Sequence, residues 1–176
     1  MNIRFSGFGG QGIILSGYIF GTAAVNDGKS ALQTQSYGSE SRGGGCRSDV
    51  LVSQEEIYDL GPSKFDVLVA LSQSAYNSYI GSLGKGGILL VDEDLVDPGS
   101  HTPPKTHKIK ATDIAFKKFG NKIMANMVMM GFVNSILGVI SKESLKKAIR
   151  DNVAEETAES NLQAFDEGYR MGKEIN

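Results

Sequence analysis

The chain has 176 residues, 40% of them apolar and 22% charged, with a formal net charge of −2, no Trp and one cysteine. One globular domain over residues 1–176 is expected; the near-neutral balance argues against a nucleic-acid partner, and a lone Cys46 excludes an internal disulfide and a resident iron–sulfur cluster. No apolar run reaches the roughly 18 residues of a membrane span, and the N-terminal residues lack a signal-peptide pattern, so a cytoplasmic protein with no membrane partner is expected.

Residues 2–6 read as a short buried strand, 7–12 as a glycine turn and 13–25 as a helix that Asp27-Gly28 ends, since glycine past a helix takes positive φ without penalty. Ile13, Ile14, Leu15, Tyr18, Ile19, Phe20, Ala23, Ala24 and Val25 leave this helix little polar face. Gly17 and Gly21 each cost it about 1 kcal/mol relative to Ala, which predicts cover on most sides and close approach by another backbone. A second strand is expected over 29–34, a loop over 35–45, and a half-exposed strand over 47–53 with Ser48, Val50 and Val52 on one side.

Residues 65–71 form an apolar run of buried-strand length, and 72–83 read as a helix with Ser72 as cap. Gly84-Lys85-Gly86-Gly87 is a predicted turn into a buried strand over 88–92. The alternation of strand and helix predicts an α/β fold with a Rossmann-like, mostly parallel, doubly wound sheet, followed by a C-terminal helical segment. Pro98, Gly99, Pro103 and Pro104 mark an irregular connection before a last strand over 108–111. Lys105, Lys108, Lys110, Lys117, Lys118 and Lys122 make this region basic, while acids predominate from Asp151 onward.

Helices are expected over 113–119, 123–140, 142–150 and 155–171. The third of these, beginning at Ser141 with Ser144 beyond it, has an ordinary surface pattern. Helix 123–140 is wrapped by Met124, Met127, Val128, Met129, Met130, Phe132, Val133, Ile136 and Leu137. It is expected to be buried inside the domain or against another subunit. The sparse polar faces of helices 13–25 and 123–140 predict self-association into a homo-oligomer or a broad partner interface.

Two glycine-rich segments can carry chemistry. Gly7-Phe8-Gly9-Gly10-Gln11-Gly12 matches the G-x-G-x-x-G fingerprint between strand and helix, where unpaired helix N–H groups and the helix dipole favour an anion. A dinucleotide reading requires an acid at the end of the second strand, but Gln33-Thr34-Gln35 stands there. Another phosphate-bearing ligand and a purely structural turn stay open beside it. The second segment is Tyr37-Gly38-Ser39-Glu40-Ser41-Arg42-Gly43-Gly44-Gly45, closed by Arg47. Two guanidinium forks beside glycine backbone suit phosphate or carboxylate, and the alternative is that Arg42 pairs with Glu40 on the surface.

Cys46 has no histidine near it and reads as a small buried hydrophobe. Asp92, Glu93, Asp94 and Asp97 follow a strand end where oxygen ligands could hold a hard cation, though a solvated acidic loop is the plainer reading. His101 and His107 have no ligand spacing. With no G-x-S-x-G, H-E-x-x-H or Walker lysine, no catalytic residue and no metal site is assigned.

The glycine turn Gly7 to Gly12, the segment Gln33-Thr34-Gln35-Ser36-Tyr37-Gly38, Glu40 with Arg42-Gly43-Gly44, and the strand beginning near Asp66 together resemble the gamma subunit of 2-oxoacid:ferredoxin oxidoreductases. The Thr34-Gln35-Ser36-Tyr37-Gly38 wording is most similar to the 2-oxoglutarate-type branch. The resemblance implies CoA-dependent oxidative decarboxylation of a 2-oxoacid in a complex with alpha, beta and ferredoxin-like delta subunits. Thiamine diphosphate, magnesium and iron–sulfur clusters would then sit on those partners, with no cofactor held by this chain alone. It further implies a CoA-facing surface made by Gly7, Gly9, Gly10, Gln11, Gly12, Tyr37, Ser39, Arg42, Gly43, Gly44 and Arg47. An independent NAD(P)-binding enzyme and a scaffold subunit with no ligand are the alternatives.

Overall fold

The computed structural model of the chain describes residues 1–37, 45–58 and 64–175. It opens with β1 (Asn2–Phe8), the glycine turn and α1 (Ile13–Asn26), followed by β2 (Ser30–Tyr37), β3 (Gly45–Ser53) and β4 (Phe65–Ala70). Then come α2 (Gln73–Tyr79), β5 (Leu83–Asp92), β6 (Thr106–Ile109) and the helices α3 (Ala111–Phe119), α4 (Ala125–Leu137), α5 (Lys142–Asn152) and α6 (Glu155–Ile175). Among the described residues, no helix is long and apolar enough to cross a membrane.

One six-stranded sheet takes the order β2-β3-β1-β4-β5-β6. β1, β4, β5 and β6 run parallel, whereas β3 lies antiparallel to both β1 and β2, so β3 alone is reversed. The sheet is therefore mostly parallel, as expected. On one face, Ile3, Phe5, Val50, Val67, Val69 and Leu90 form a core with residues from α1, α3, α4, α5 and α6. On the other, Leu68, Ala70, Leu89 and Val91 pack with Tyr76 of α2 and Val96. Helices thus cover both faces, unequally.

Three strands differ from their sequence reading; β6, expected over 108–111, spans Thr106–Ile109, because Ala111 already opens α3. β2 runs on to Tyr37 rather than giving way to a loop at residue 35, because Gln35, Ser36 and Tyr37 pair with Ser48, Arg47 and Cys46 of β3. An antiparallel neighbour satisfies the backbone of residues whose polarity alone suggests a loop. The glycines at 84, 86 and 87 lie inside β5, where the register jumps from Phe65↔Leu83 to Val67↔Ile88 and Gly86 takes φ +79°. They build an irregularity in a continuous strand and do not end it.

α4 is enclosed by its own chain, with Ala125 to Ser135 all buried. Its main neighbour is α6, and the two meet backbone to backbone: a Cβ on Gly131 would lie 1.9 Å from the Phe165 carbonyl oxygen, and one on Gly168 1.8 Å from that of Val128. The missing polar face of α4 follows from this enclosure, which is the first of the two readings given for it, burial inside the domain. α1 keeps two exposed apolar side chains, Tyr18 and Val25.

Candidate functional site

The glycine turn is held by its own glutamine. Gln11 Oε1 accepts the Phe8 N–H at 2.6 Å, and Gln11 Nε2 donates to the Leu71 carbonyl at 2.9 Å, tying the turn to the end of β4. Gly7 and Gly12 are required by packing: their Cβ atoms would lie 2.5 Å from Gln11 Oε1 and 2.2 Å from Asn126 Nδ2. Gly10 differs, since it takes φ +97° with nothing within 4 Å of its Cβ position. Gly9 and Gly10 are exposed, so this stretch presents backbone outward. Gly12 is the N-cap of α1, has φ +72° and supplies no side-chain cap, leaving the positive end of the helix open to an anion.

The turn sits where α/β sheets place ligands. α1 leaves β1 toward one face and α2 leaves β4 toward the other, so a crevice opens beyond the carboxyl ends of these two parallel strands. Two clefts occupy it. One, of about 250 Å³, is lined by Gly10, Gln11, Leu71, Thr112, Lys122 and Ile123. The other, of about 490 Å³, is lined by Phe8, Gln11, Ser72, Gln73, Asn77 and Leu95. Ser72 caps α2 by accepting the Ala75 N–H, and Gln73 exchanges bonds with the Asp97 backbone, its Oε1 accepting at 2.8 Å and its Nε2 donating at 3.2 Å.

Among the residues assigned from sequence, the structure brings Gly7, Gly9, Gly10, Gln11 and Gly12 together in this turn. Gly45 pairs with Phe8 and Tyr37 pairs with Cys46, so the strand ends on either side of the second glycine segment lie at the same sheet edge as the turn. Ser39, Arg42, Gly43 and Gly44 lie outside the described residues. Arg47 lines neither cleft. Its guanidinium is 4.0 Å from Asp49 and 5.8 Å from the Tyr79 ring centroid. Asp49 already has a bidentate partner in Arg4, at 2.6 and 2.7 Å, which is stacked against Phe65 and Tyr79.

Sequence reasoning missed the residues following β4 and those around Lys122. The available signal was positional: Leu71 and Ser72 stand at a parallel strand's carboxyl end, directly before a helix cap.

The acidic stretch has a structural use. Asp92 is buried, and its Oδ2 accepts the Thr112 N–H at 3.1 Å and the Thr112 hydroxyl at 2.5 Å, while Asp94 accepts the Asp113 N–H at 2.8 Å. These carboxylates cap α3. Burial pushes the Asp92 carboxyl up, and the Thr112 hydrogen bond opposes it. Among the described residues, no group of three His, Cys, Asp or Glu side chains could hold a metal ion. Cys46 is buried, and burial raises its thiol pKa. The dinucleotide reading also loses its geometry, because β3 stands between β1 and β2 and the end of β2 is Gln35-Ser36-Tyr37.

The model of the pyruvate ferredoxin/flavodoxin oxidoreductase family matches residues 2–171. The chain belongs to this family. It is 48% identical over 176 residues to the 2-oxoglutarate synthase subunit KorC of Methanocaldococcus jannaschii, covering 98% of this chain and 94% of that protein. The subunit of the same name from Archaeoglobus fulgidus is 34% identical over 99% of this chain and 89% of its own length. A keto/oxoacid ferredoxin oxidoreductase gamma subunit from Geobacter sulfurreducens has the same fold, with a TM-score of 0.83 at 41% identity and 97% coverage of both chains. A 2-oxoglutarate:ferredoxin oxidoreductase from Magnetococcus marinus, solved with 2-oxoglutarate, coenzyme A and succinyl-CoA bound, gives a TM-score of 0.90 at 27% identity, covering all of this chain and 31% of that one. The resemblance carried by the glycine turn and by residues 33–38 is thereby borne out. In this oxidoreductase family, then, the G-x-G-x-x-G turn of the present chain belongs to a subunit and not to a free-standing dehydrogenase.

Proposed function

We propose that residues 1–176 form the gamma-type domain of a 2-oxoglutarate:ferredoxin oxidoreductase and supply its CoA-facing surface. The reaction converts 2-oxoglutarate, CoA and two oxidised ferredoxins into succinyl-CoA, carbon dioxide, two reduced ferredoxins and the proton released from the CoA thiol. The observation that carries the reading is the uncapped amino end of α1, set behind exposed Gly9 and Gly10 at the crevice between β1 and β4. Backbone N–H groups at a helix start suit the phosphates of CoA. The Magnetococcus marinus relative, solved with CoA bound, matches the whole length of this chain and supports the assignment.

Alpha, beta and ferredoxin-like delta subunits are the partners of this reading. They would hold thiamine diphosphate, magnesium and the iron–sulfur clusters; this chain has one cysteine and, among the described residues, no group of three His, Cys, Asp or Glu side chains for a metal ion. Tyr37, Ser39, Arg42, Gly43, Gly44 and Arg47 are proposed to join the glycine turn around CoA. The test is Arg42→Ala in the reconstituted complex. A charged contact of about 1.5 to 3 kcal/mol predicts a KM for CoA raised about ten- to a hundredfold, with the CoA-independent decarboxylation of 2-oxoglutarate keeping its rate. If that half-reaction slows and the KM for CoA stays put, Arg42 serves the oxoacid pocket or a subunit contact.

A further inference from the structure

The two edges of the sheet are built differently. β6, at one end, is four residues long, follows Pro103-Pro104, and carries exposed Lys108 with exposed Lys105 and Lys110 on either side. Shortness, proline and lysine keep an edge strand from pairing with another chain. β2, at the other end, is eight residues long, holds neither proline nor a charged side chain, and keeps regular register with β3 from Ser30 to Tyr37. Among the described residues, no strand pairs with its outer side. An edge of this length and regularity is a template for another strand.

α1 indicates what lies beyond that edge. Phe20 packs on Phe5 of β1, with 5.7 Å between ring centroids, and a Cβ on Gly21 would lie 3.8 Å from Val50 of β3 and 4.0 Å from Ala31 of β2. Continuing round the helix in the same sense, Ile14, Tyr18 and Val25 come next, on one stripe that points past β2. Tyr18 is 52% exposed, Val25 58%, and Ile14 is half-buried. The open strand edge and the open apolar stripe thus stand side by side. Lys29, which joins the two elements, has Asp27 at 3.4 Å.

We propose that β2 is the pairing edge for a second copy of this chain, the two β2 strands running antiparallel about a two-fold axis normal to the sheet. Such an axis keeps both α1 helices on the same face. α1 lies over the β2–β3 boundary, since Gly17 stands against Ser48 and Gln33 as Gly21 does against Val50 and Ala31. Strands about 4.8 Å apart put that boundary about 5 Å from the axis, so the two helices come about 10 Å apart. This is the ordinary spacing of packed helices. One symmetry operation therefore pairs two open edges and sets Ile14, Tyr18 and Val25 against their own copies. No like charges meet, because residues 13–26 and 30–37 hold no charged side chain. A lone strand from another protein would pair with β2 and leave the stripe uncovered.

Analytical ultracentrifugation of the full chain tests this. The wild type is expected to sediment as a dimer, and Tyr18→Lys and Thr34→Lys, both at exposed positions, to raise its dissociation constant about tenfold, since the two-fold axis doubles each new charge. Lys108→Glu, on the other edge, is expected to leave it unchanged. Tyr18→Lys and Tyr18→Glu mixed in equal amounts are expected to pair again, which separates lost association from lost folding. Amide exchange in residues 30–37 should slow as the wild-type concentration rises. A monomeric wild type, a dimer that both lysine variants leave intact, or β2 exchange indifferent to concentration would overturn the proposal. A monomer whose β2 exchange slows only in the reconstituted complex would overturn it too, by giving the edge to a strand of a partner subunit.

Discussion

Single residues in this chain hold distant segments together. Asp27 ends α1 and also anchors α5: it accepts the Ser141 N–H at 2.6 Å and the Ser141 hydroxyl at 2.7 Å, with Lys29 Nζ 3.4 Å away. Burial alone would push its carboxyl up, but the hydrogen bonds from Ser144, Ser141 and Lys29 outweigh it and hold the carboxyl well below the usual carboxylate range. A carboxylate depressed in the folded state stabilises it above the unfolded pKa of about 3.9, and this contribution is lost as pH falls through the folded value. Asp27→Asn should therefore cost about 1 kcal/mol at neutral pH, with the gap to wild type narrowing as the pH drops below the unfolded carboxylate pKa. Urea titrations at neutral and acid pH check this, and a gap independent of pH would contradict it. At the glycine turn, Gly12→Ala meets both left-handed φ and the Asn126 amide, so a loss of about 2–4 kcal/mol is expected. Gly10→Ala meets only the backbone term, about 1–2 kcal/mol. Equilibrium unfolding of the two variants should rank them in that order.

At the scale of elements, glycines in two helices make opposite demands. Gly168 of α6 lies where a Cβ would be 1.8 Å from the Val128 carbonyl oxygen, so Gly168→Ala must push α4 and α6 apart. Overpacking of this kind costs about 1–3 kcal/mol, and the structure predicts the upper end because the obstacle is backbone. Gly21 of α1 has its nearest Cβ neighbours at 3.8 and 4.0 Å, ordinary contact distances. Gly21→Ala should therefore gain about 0.5–1 kcal/mol from helix propensity and reduced unfolded-state entropy. Calorimetric Tm values moving down for the first and up for the second would bear this out; a fall in both would mean that α1 needs its glycine for an approach the distances do not reveal.

At the scale of the molecule, the sheet is covered unequally. α1, α3, α4, α5 and α6 enclose one face, while among the described residues the opposite face is covered by the short α2 with Ile80 and Val96. On that second side β2 and β3 leave Thr34 and Ser36 exposed and Leu32, Arg47 and Leu51 half-buried. The chain belongs to a family whose members here are subunits of oxidoreductase complexes. Its only cysteine is buried in β3 beside Gly7. The purified chain alone is therefore expected to reduce neither ferredoxin nor viologen with 2-oxoglutarate and CoA, with activity appearing only when partner subunits are added. Viologen reduction by the chain alone would overturn the division of labour.

Much of this was legible in the sequence because it depends on local pattern. The apolar run at 65–71 specifies a buried strand, Ser72 and Ser141 cap the helices that follow them, Asp27-Gly28 ends α1, and six residues between strand and helix spell the glycine turn. Period, cap and turn chemistry act over a few residues, so they can be read without the fold. What depends on which segments become neighbours could not be read in this way. Polar residues 35–37 resemble a loop until β3 pairs with them, and the Met-rich α4 fits a domain core or a subunit interface equally until α6 closes over it. The clefts combine Gln11, Leu71, Leu95 and Lys122 from distant parts of the chain, and Asn126 reaches Gly12 across 114 positions of sequence. Strand order and helix crossing decide these contacts, through cross-strand hydrogen bonds and backbone-close packing that no local window of sequence contains.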